Sequence, residues 1–179
     1  MPRKILERYS YFPYHIYNRV NDKQFYPSNR DFIWRQYINE LCYCSFALGL
    51  RIHCFVLMDN HYHLLASTPD ENIDKVMLHL QREVSKKISF HTERQIYRFQ
   101  GPYKWKAVKD SLHYSKVYKY ILRNPIEAAL CEKAEDYIYS SLHFQCGGGW
   151  LEFPIWEKSE LSKNHPENIF ERVDWLNMP

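Results

Sequence analysis

The chain is expected to fold as an α+β domain, a ferredoxin-like split βαβ with an antiparallel sheet and extra C-terminal helices. Three observations predict this. β-prone and amphipathic helical runs alternate in the order strand, helix, strand, strand, helix, strand. The two middle strands are separated only by Asp59-Asn60, a good short turn. The second helix carries Ile73, Val76, Met77, Leu80, Val84 and Ile88 at a clean 3.6-residue period.

The elements follow in order. Residues 1–13 form a basic, aromatic lead-in. Tyr14 to Val20 has strand composition, with Ile16 and Val20 on one face and His15, Tyr17 and Arg19 on the other. A turn runs through Asn21-Asp22 and Pro27. Ser28-Asn29-Arg30-Asp31 reads as a capping box. The helix after it places Ile33, Tyr37, Ile38, Leu41 and Leu48 on one stripe, interrupted at Ser45, and Gly49 is its stop. Leu50 to Met58 and His61 to Ser67 form a hairpin, and Pro69 to Asn72 opens the second helix. Residues 91–102 are polar and irregular. Tyr103 to Val108 reads as a lysine-rich strand with Tyr103, Trp105 and Ala107 facing one way. Ser111 or Asp110 caps a third helix running to about Asn124. Asn124 then caps a further short helix with Pro125 in its first position. Two helices on one sheet face leave the other face for function. The organisation expected is a domain over residues 1–145 and an acidic tail over 146–179, which has no assignable fold and opens at Gly147-Gly148-Gly149.

The bulk numbers exclude several classes. At 179 residues, 45% apolar and 25% charged, the chain suits one globular domain with its own core. No apolar run approaches the roughly 20 residues that span a bilayer, so no membrane partner is expected. Met1-Pro2-Arg3-Lys4 has no apolar signal-peptide core. The five cysteines form no CxxC pair, which fits a reducing cytoplasm. The net charge of +3 is uneven: residues 151–179 hold six acids and three bases, so the body before them is net +6. A mildly basic body suits a polyanion.

Within the hairpin, His61 and His63 flank Tyr62. Strand side chains alternate, so both imidazoles share a face and one divalent metal can bind both. Two partly buried, hydrogen-bonded histidines fit the same pattern. The third helix adds weight to the metal reading. Lys116, Tyr120 and Asn124 lie at i, i+4 and i+8 on a polar stripe beside apolar Val117 and Ile121. Tyr114 and Tyr118 are rival phenols, but neither has an Asn one turn on. Phosphodiester cleavage needs a nucleophile, charge stabilisation and a leaving oxygen. A free phenol, with a pKa of about 10, is mostly protonated at neutral pH, and an ammonium such as Lys116 would favour the phenolate. A divalent ion on neutral imidazoles and an amide oxygen would polarise the phosphate. Such N/O ligation suits Mg²⁺ or Mn²⁺, and Zn²⁺ in vitro. A tyrosine ester conserves bond energy and holds the broken strand.

These residues carry a resemblance. Tyr14-His15-Ile16 through Asn18-Arg19, the run Val56 to Leu65, and Tyr120-Ile121-Leu122-Arg123-Asn124-Pro125 through Leu130 resemble the single-tyrosine HUH transposases. Within that family the similarity is to the REP-associated tyrosine transposases, and Asp136-Tyr137 and Ser140-Ser141 follow at the matching distance. The resemblance covers roughly residues 11–145. It implies His61 and His63 as metal ligands, Tyr120 as nucleophile and Asn124 as third ligand. It implies a cytoplasmic, nucleoid-associated enzyme that cuts single-stranded DNA beside hairpins and works as a monomer or homodimer. Arg19 lies in a matched segment, and Lys104, Lys106, Lys109 and Lys116 are further DNA-contact candidates. Three positions depart from the family pattern: Asp59 replaces a common proline, Ile126 a valine and Ala129 a glycine.

Two other readings compete. A non-catalytic ferredoxin-like nucleic-acid-binding module would use the aromatics and lysines alone. A hydrolytic zinc enzyme would need an acidic base beside the histidines, for which Asp59 is the near candidate. The charge split also raises the expectation that the acidic tail covers the basic face.

Overall fold

The computed structural model describes residues 8–21, 25–93, 99–156 and 160–178. The expected turn residue Asp22, the start of the lead-in and part of the stretch 91–102 lie outside these. The elements are β1 (Tyr14–Arg19), α1 (Arg30–Leu48), β2 (Arg51–Leu57), β3 (His61–Ser67), α2 (Ile73–His91), β4 (Lys104–Ala107), α3 (Ser111–Glu127), α4 (Ser141–Gln145) and α5 (Ile169–Asn177). Short 3₁₀ turns lie at Ala134–Asp136 and Glu160–Asn164. The sheet order is β2-β3-β1-β4 and every neighbouring pair is antiparallel, which is the ferredoxin-like arrangement. No helix of the described residues is long and apolar enough to cross a membrane.

One sheet face packs on α1 and α2. Ile16, Tyr62, Leu64 and Phe55 meet Tyr37, Leu41, Val76 and Leu80 in the larger core. The buried residues of α2 are the six that set its period. Glu40, buried on α1, accepts from His79 and Lys87 of α2 and so ties the pair together. Asn29 rather than Ser28 caps α1, its side chain accepting from the Phe32 amide. The cap is thus displaced by one residue, and with Phe32 at the third helical position no reciprocal capping box forms. Gly49 ends α1 at φ 68°, a left-handed position where a β-carbon is costly.

The other face is half covered, which corrects the expectation of an open functional face. Cys54, Val56 and Leu65 pack against Val117, Tyr118, Ile121 and Leu122 of α3. β2 carries a bulge at His53, whose ring is buried. Its Nε2 lies 3.2 Å from Ser67 Oγ and its Nδ1 3.0 Å from Tyr114 OH, joining sheet to helix. Burial, with Arg51 adding to it, holds the His53 pKa down at about 3. The free edge of β2 is closed by later chain: Trp156 donates to Ile52 O, Leu57 to Tyr139 O, and the Phe55 amide to Ser141 Oγ.

The expectation for Asn124 and Pro125 is also corrected. Helix α3 runs unbroken to Glu127, with Pro125 inside it. A proline there leaves the Ile121 carbonyl without its amide donor. The Asn124 side chain donates back to Tyr120 O at 2.7 Å and reaches that Ile121 carbonyl at 3.5 Å. The helix then closes as a Schellman motif: Leu130 N donates to Pro125 O and Ala129 N to Ile126 O, with Ala129 at φ 55°.

The tail is folded onto this body. Arg123 donates to Leu176 O and Met178 O at the end of α5. His165 stacks on Tyr118 and Trp175. Phe153 enters the larger core. Gly148 sits so close to His143 that a β-carbon would fall 2.2 Å from the ring, so the glycine run is a tight turn here.

The left-handed Ala129 sets a test. An L-residue there carries a penalty of about 1 kcal/mol, so Ala129→Gly should raise the urea midpoint by a comparable stability. A lowered midpoint would contradict this account of the helix end.

Candidate active site

Helix α3 crosses the β2–β3 side of the sheet and leaves the β1–β4 side open. Register decides what the open side presents. Arg19 pairs with His61 and Tyr17 with His63. Tyr17 also pairs with Lys104, and His15 with Lys106. Directly paired residues share a face, so these seven side chains emerge together.

A cleft forms here, lined by Tyr17, Asn18, Arg19, His61, His63, Gln100, Lys104 and Tyr120. Tyr120 comes from α3, and its side chain is exposed. Its ring meets His63 edge-on at 5.6 Å between centroids and His15 at 5.8 Å. The rival phenols are elsewhere: Tyr114 and Tyr118 are buried in the smaller core.

The two histidines of the hairpin are oriented through the same ring atom. His61 Nδ1 lies 2.8 Å from Asn60 Oδ1. His63 Nδ1 lies 3.0 Å from His15 Nε2. An amide oxygen only accepts, so His61 carries its proton on Nδ1 and keeps a lone pair on Nε2. The ring centroids of His61 and His63 are 5.0 Å apart.

Burial and neighbouring cations keep these rings neutral. Burial, then the charges of Arg19, lower the His61 pKa to about 4, against an opposing pull from Asp59. Burial first, then His113 and Lys106, lower His15 to about 4. His63 is pushed well below the ordinary range by burial, His15, His61 and Arg19. Neutral imidazoles are the form that ligates metal.

The remaining candidates are placed as follows. Arg19 and Lys104 line the cleft, with the Lys104 ammonium 5.9 Å from the Tyr17 ring centre. Lys106 is exposed on the same strand face. Lys116 is exposed on α3 one turn before Tyr120. Lys109 is not brought in: its Nζ donates to Tyr9 OH and sits 4.6 Å over that ring. Asn124 is half-buried one turn beyond Tyr120, outside the residues lining the cleft. With its Nδ2 held by Tyr120 O, its Oδ1 has no part in that bond. Among the described residues no group of three or more His, Cys, Asp and Glu could hold a metal ion. The imidazole pair offers two nitrogen donors, and any third protein donor would be of another type, the Asn124 carboxamide being a candidate.

Asp59, the carboxylate that a hydrolytic zinc enzyme would need as base, is ion-paired with Arg30. Among the described residues, none of the tail lines the cleft. Sequence reasoning placed His15 and Tyr17 on the right face without giving them a part in the site. Gln100 was missed, since its irregular stretch has no periodicity to read.

No protein-family profile matches the chain, and no curated protein does. Solved structures do. One is a REP-associated tyrosine transposase bound to a REP hairpin, at TM-score 0.65 and 15% identity, covering 86% of this chain and 92% of that one. Another is a transposase candidate from Deinococcus radiodurans R1, at TM-score 0.43 and 16% identity, covering 66% of this chain and 95% of that one. At 15% identity the first likeness establishes a shared fold.

The neutral histidines set a pH test. The unfolded ring takes up a proton near 6.5, whereas folded His61 and His15 do so only near 4. The unfolded state therefore binds more protons in between, and stability should fall as pH drops from about 6.5 toward 4. In NMR titration His61 should protonate near pH 4, and Arg19→Ala should move that midpoint upward. An unmoved midpoint would remove Arg19 as a cause.

Proposed function

We propose that this chain is a DNA nicking and strand-transfer enzyme of the transposase kind, acting on single-stranded DNA through a Tyr120 nucleophile. One observation carries the reading: an exposed tyrosine stands edge-on to a neutral HxH histidine inside a basic cleft. Surface tyrosines are common, but a structural one gains nothing from this neighbourhood.

The residues divide the work. Arg19 and Lys104 attract the phosphate backbone, and Tyr17 offers a stacking face for a base. The Tyr120 phenol oxygen attacks phosphorus and loses its proton. The P–O bond to the 3′-oxygen breaks, and that oxygen leaves as a 3′-hydroxyl after taking a proton. The product is a 5′-phosphotyrosine ester. A hydroxyl attacking the ester reverses the step and joins a strand without ATP.

His61, His63 and Asn124 are the residues that would hold Mg²⁺ or Mn²⁺. Such an ion, when bound, supplies Lewis-acid polarisation of a non-bridging phosphate oxygen. A single strand flanked by a hairpin is the substrate class proposed; a transposase of the same fold is bound to a REP hairpin, which supports the hairpin part. A passive binding module is the weaker reading: α3 covers half of the sheet surface it would use.

The test is a denaturing gel of protein with hairpin oligonucleotides and Mn²⁺. Wild-type protein should give a slower band mapping to the Tyr120 peptide, and Tyr120→Phe should give none while still binding DNA. A band retained by the Phe variant would overturn the assignment. Arg19→Ala and Lys104→Ala should each weaken binding and reduce the log–log salt slope by about 0.7. Unchanged slopes would place the DNA elsewhere.

A further inference from the structure

His15 is half-buried on β1, opposite Lys106 and Leu65. Its Nε2 and His63 Nδ1 are 3.0 Å apart, and the two rings are 5.2 Å apart between centroids. Only one proton fits between these nitrogens. Two arrangements satisfy the bond. Either His63 donates from Nδ1, and its Nε2 keeps a lone pair, or His15 donates from Nε2, and His63 carries its proton on Nε2. The second arrangement removes the lone pair that a metal ligand needs.

His61 shows which arrangement the site is built for. Asn60 Oδ1 can only accept, so His61 is the Nδ1–H tautomer with a bare Nε2. The HxH rings then present matching donors only if His63 takes the same tautomer. We propose that His15 is a positioning residue: its Nε2 accepts the Nδ1 proton of His63, fixing both the ring orientation and the free Nε2 of that ligand. Its counterpart for His61 is Asn60. His15 then carries its own proton on Nδ1. The same ring also stands edge-on to Tyr120 at 5.8 Å, so it braces the nucleophile and the ligand from one place. This role rests on the metal reading proposed above.

The signal was available in the strand alternation, which puts His15 on the face of Tyr17 and Arg19. What the sequence did not reveal is that β3 lies beside β1 in the register that brings His15 within hydrogen-bond reach of His63.

Nitrogen-15 NMR of the metal-free wild-type protein reads the tautomer directly. His63 should show a pyrrole-type Nδ1 and a pyridine-type Nε2. The reverse pattern overturns the proposal without any variant or metal. Mn²⁺ titration followed by water-proton relaxation then tests the consequence. His15→Phe keeps a ring but has no acceptor, and it should weaken Mn²⁺ binding by about 10–100-fold. His15→Gln retains an acceptor oxygen and should recover most of the affinity. If wild-type protein binds Mn²⁺ and His15→Phe binds it equally well, the role of His15 falls while the metal reading stands. If wild-type protein binds no Mn²⁺, the metal reading falls and takes this role with it.

Discussion

The packing of α3 across half of the sheet is the contact on which the site depends. Val117, Ile121 and Leu122 settle on Cys54, Val56 and Leu65, and this apolar seam fixes both the height and the rotation of the helix. Tyr120 precedes Ile121, so the rotation that buries Ile121 turns Tyr120 toward the uncovered strands. A helix shifted toward β4 would bury the basic side chains, and one absent altogether would leave no tyrosine at the cleft. The half-covered face is therefore a compromise between burying apolar area and leaving polar groups in water.

The electrostatics of the cleft follow from the same geometry. Burial disfavours charged imidazoles, and the cations that suit a phosphate backbone disfavour them further. Both effects act in one direction on His15, His61 and His63. The site thus combines positive charge from Arg19 and Lys104 with neutral nitrogen donors, two properties that separate surface clusters rarely offer together. Asp59 opposes this at His61 but does not outweigh burial and Arg19, and its carboxylate is ion-paired with Arg30.

The parts of this arrangement legible in the sequence are those set by local period. Alternation gave the shared face of His61 and His63, and the 3.6-residue spacing gave every buried residue of α2 and the polar stripe of Tyr120. Local rules failed where distant chain intervened. Asn-Pro ordinarily starts a helix, yet here Pro125 is buried and α3 continues through it. The Asn124 side chain helps by turning back to the Tyr120 carbonyl. Gln100 reached the cleft from a stretch without pattern, because its amide bonds Arg19 O beside β1. The left-handed backbone at Ala129 is one that a glycine would adopt without strain.

The acidic tail shows the limit of reading charge without contacts. Its net −3 suggested a competitor for the basic cleft, but its last helix lies behind α3. Helix C-termini leave carbonyls unsatisfied and favour nearby cations. Arg123 meets that need by bonding Leu176 O and Met178 O, while the Lys119 ammonium sits 5.2 Å from the Trp175 ring centre. Asn177 adds bonds to Ala134 and Glu135, anchoring the tail to the turn that follows α3. Cations on the back of α3 thus hold the tail, and the front of the same helix holds Tyr120. The described part of the tail braces the helix from behind, on the side away from Tyr120.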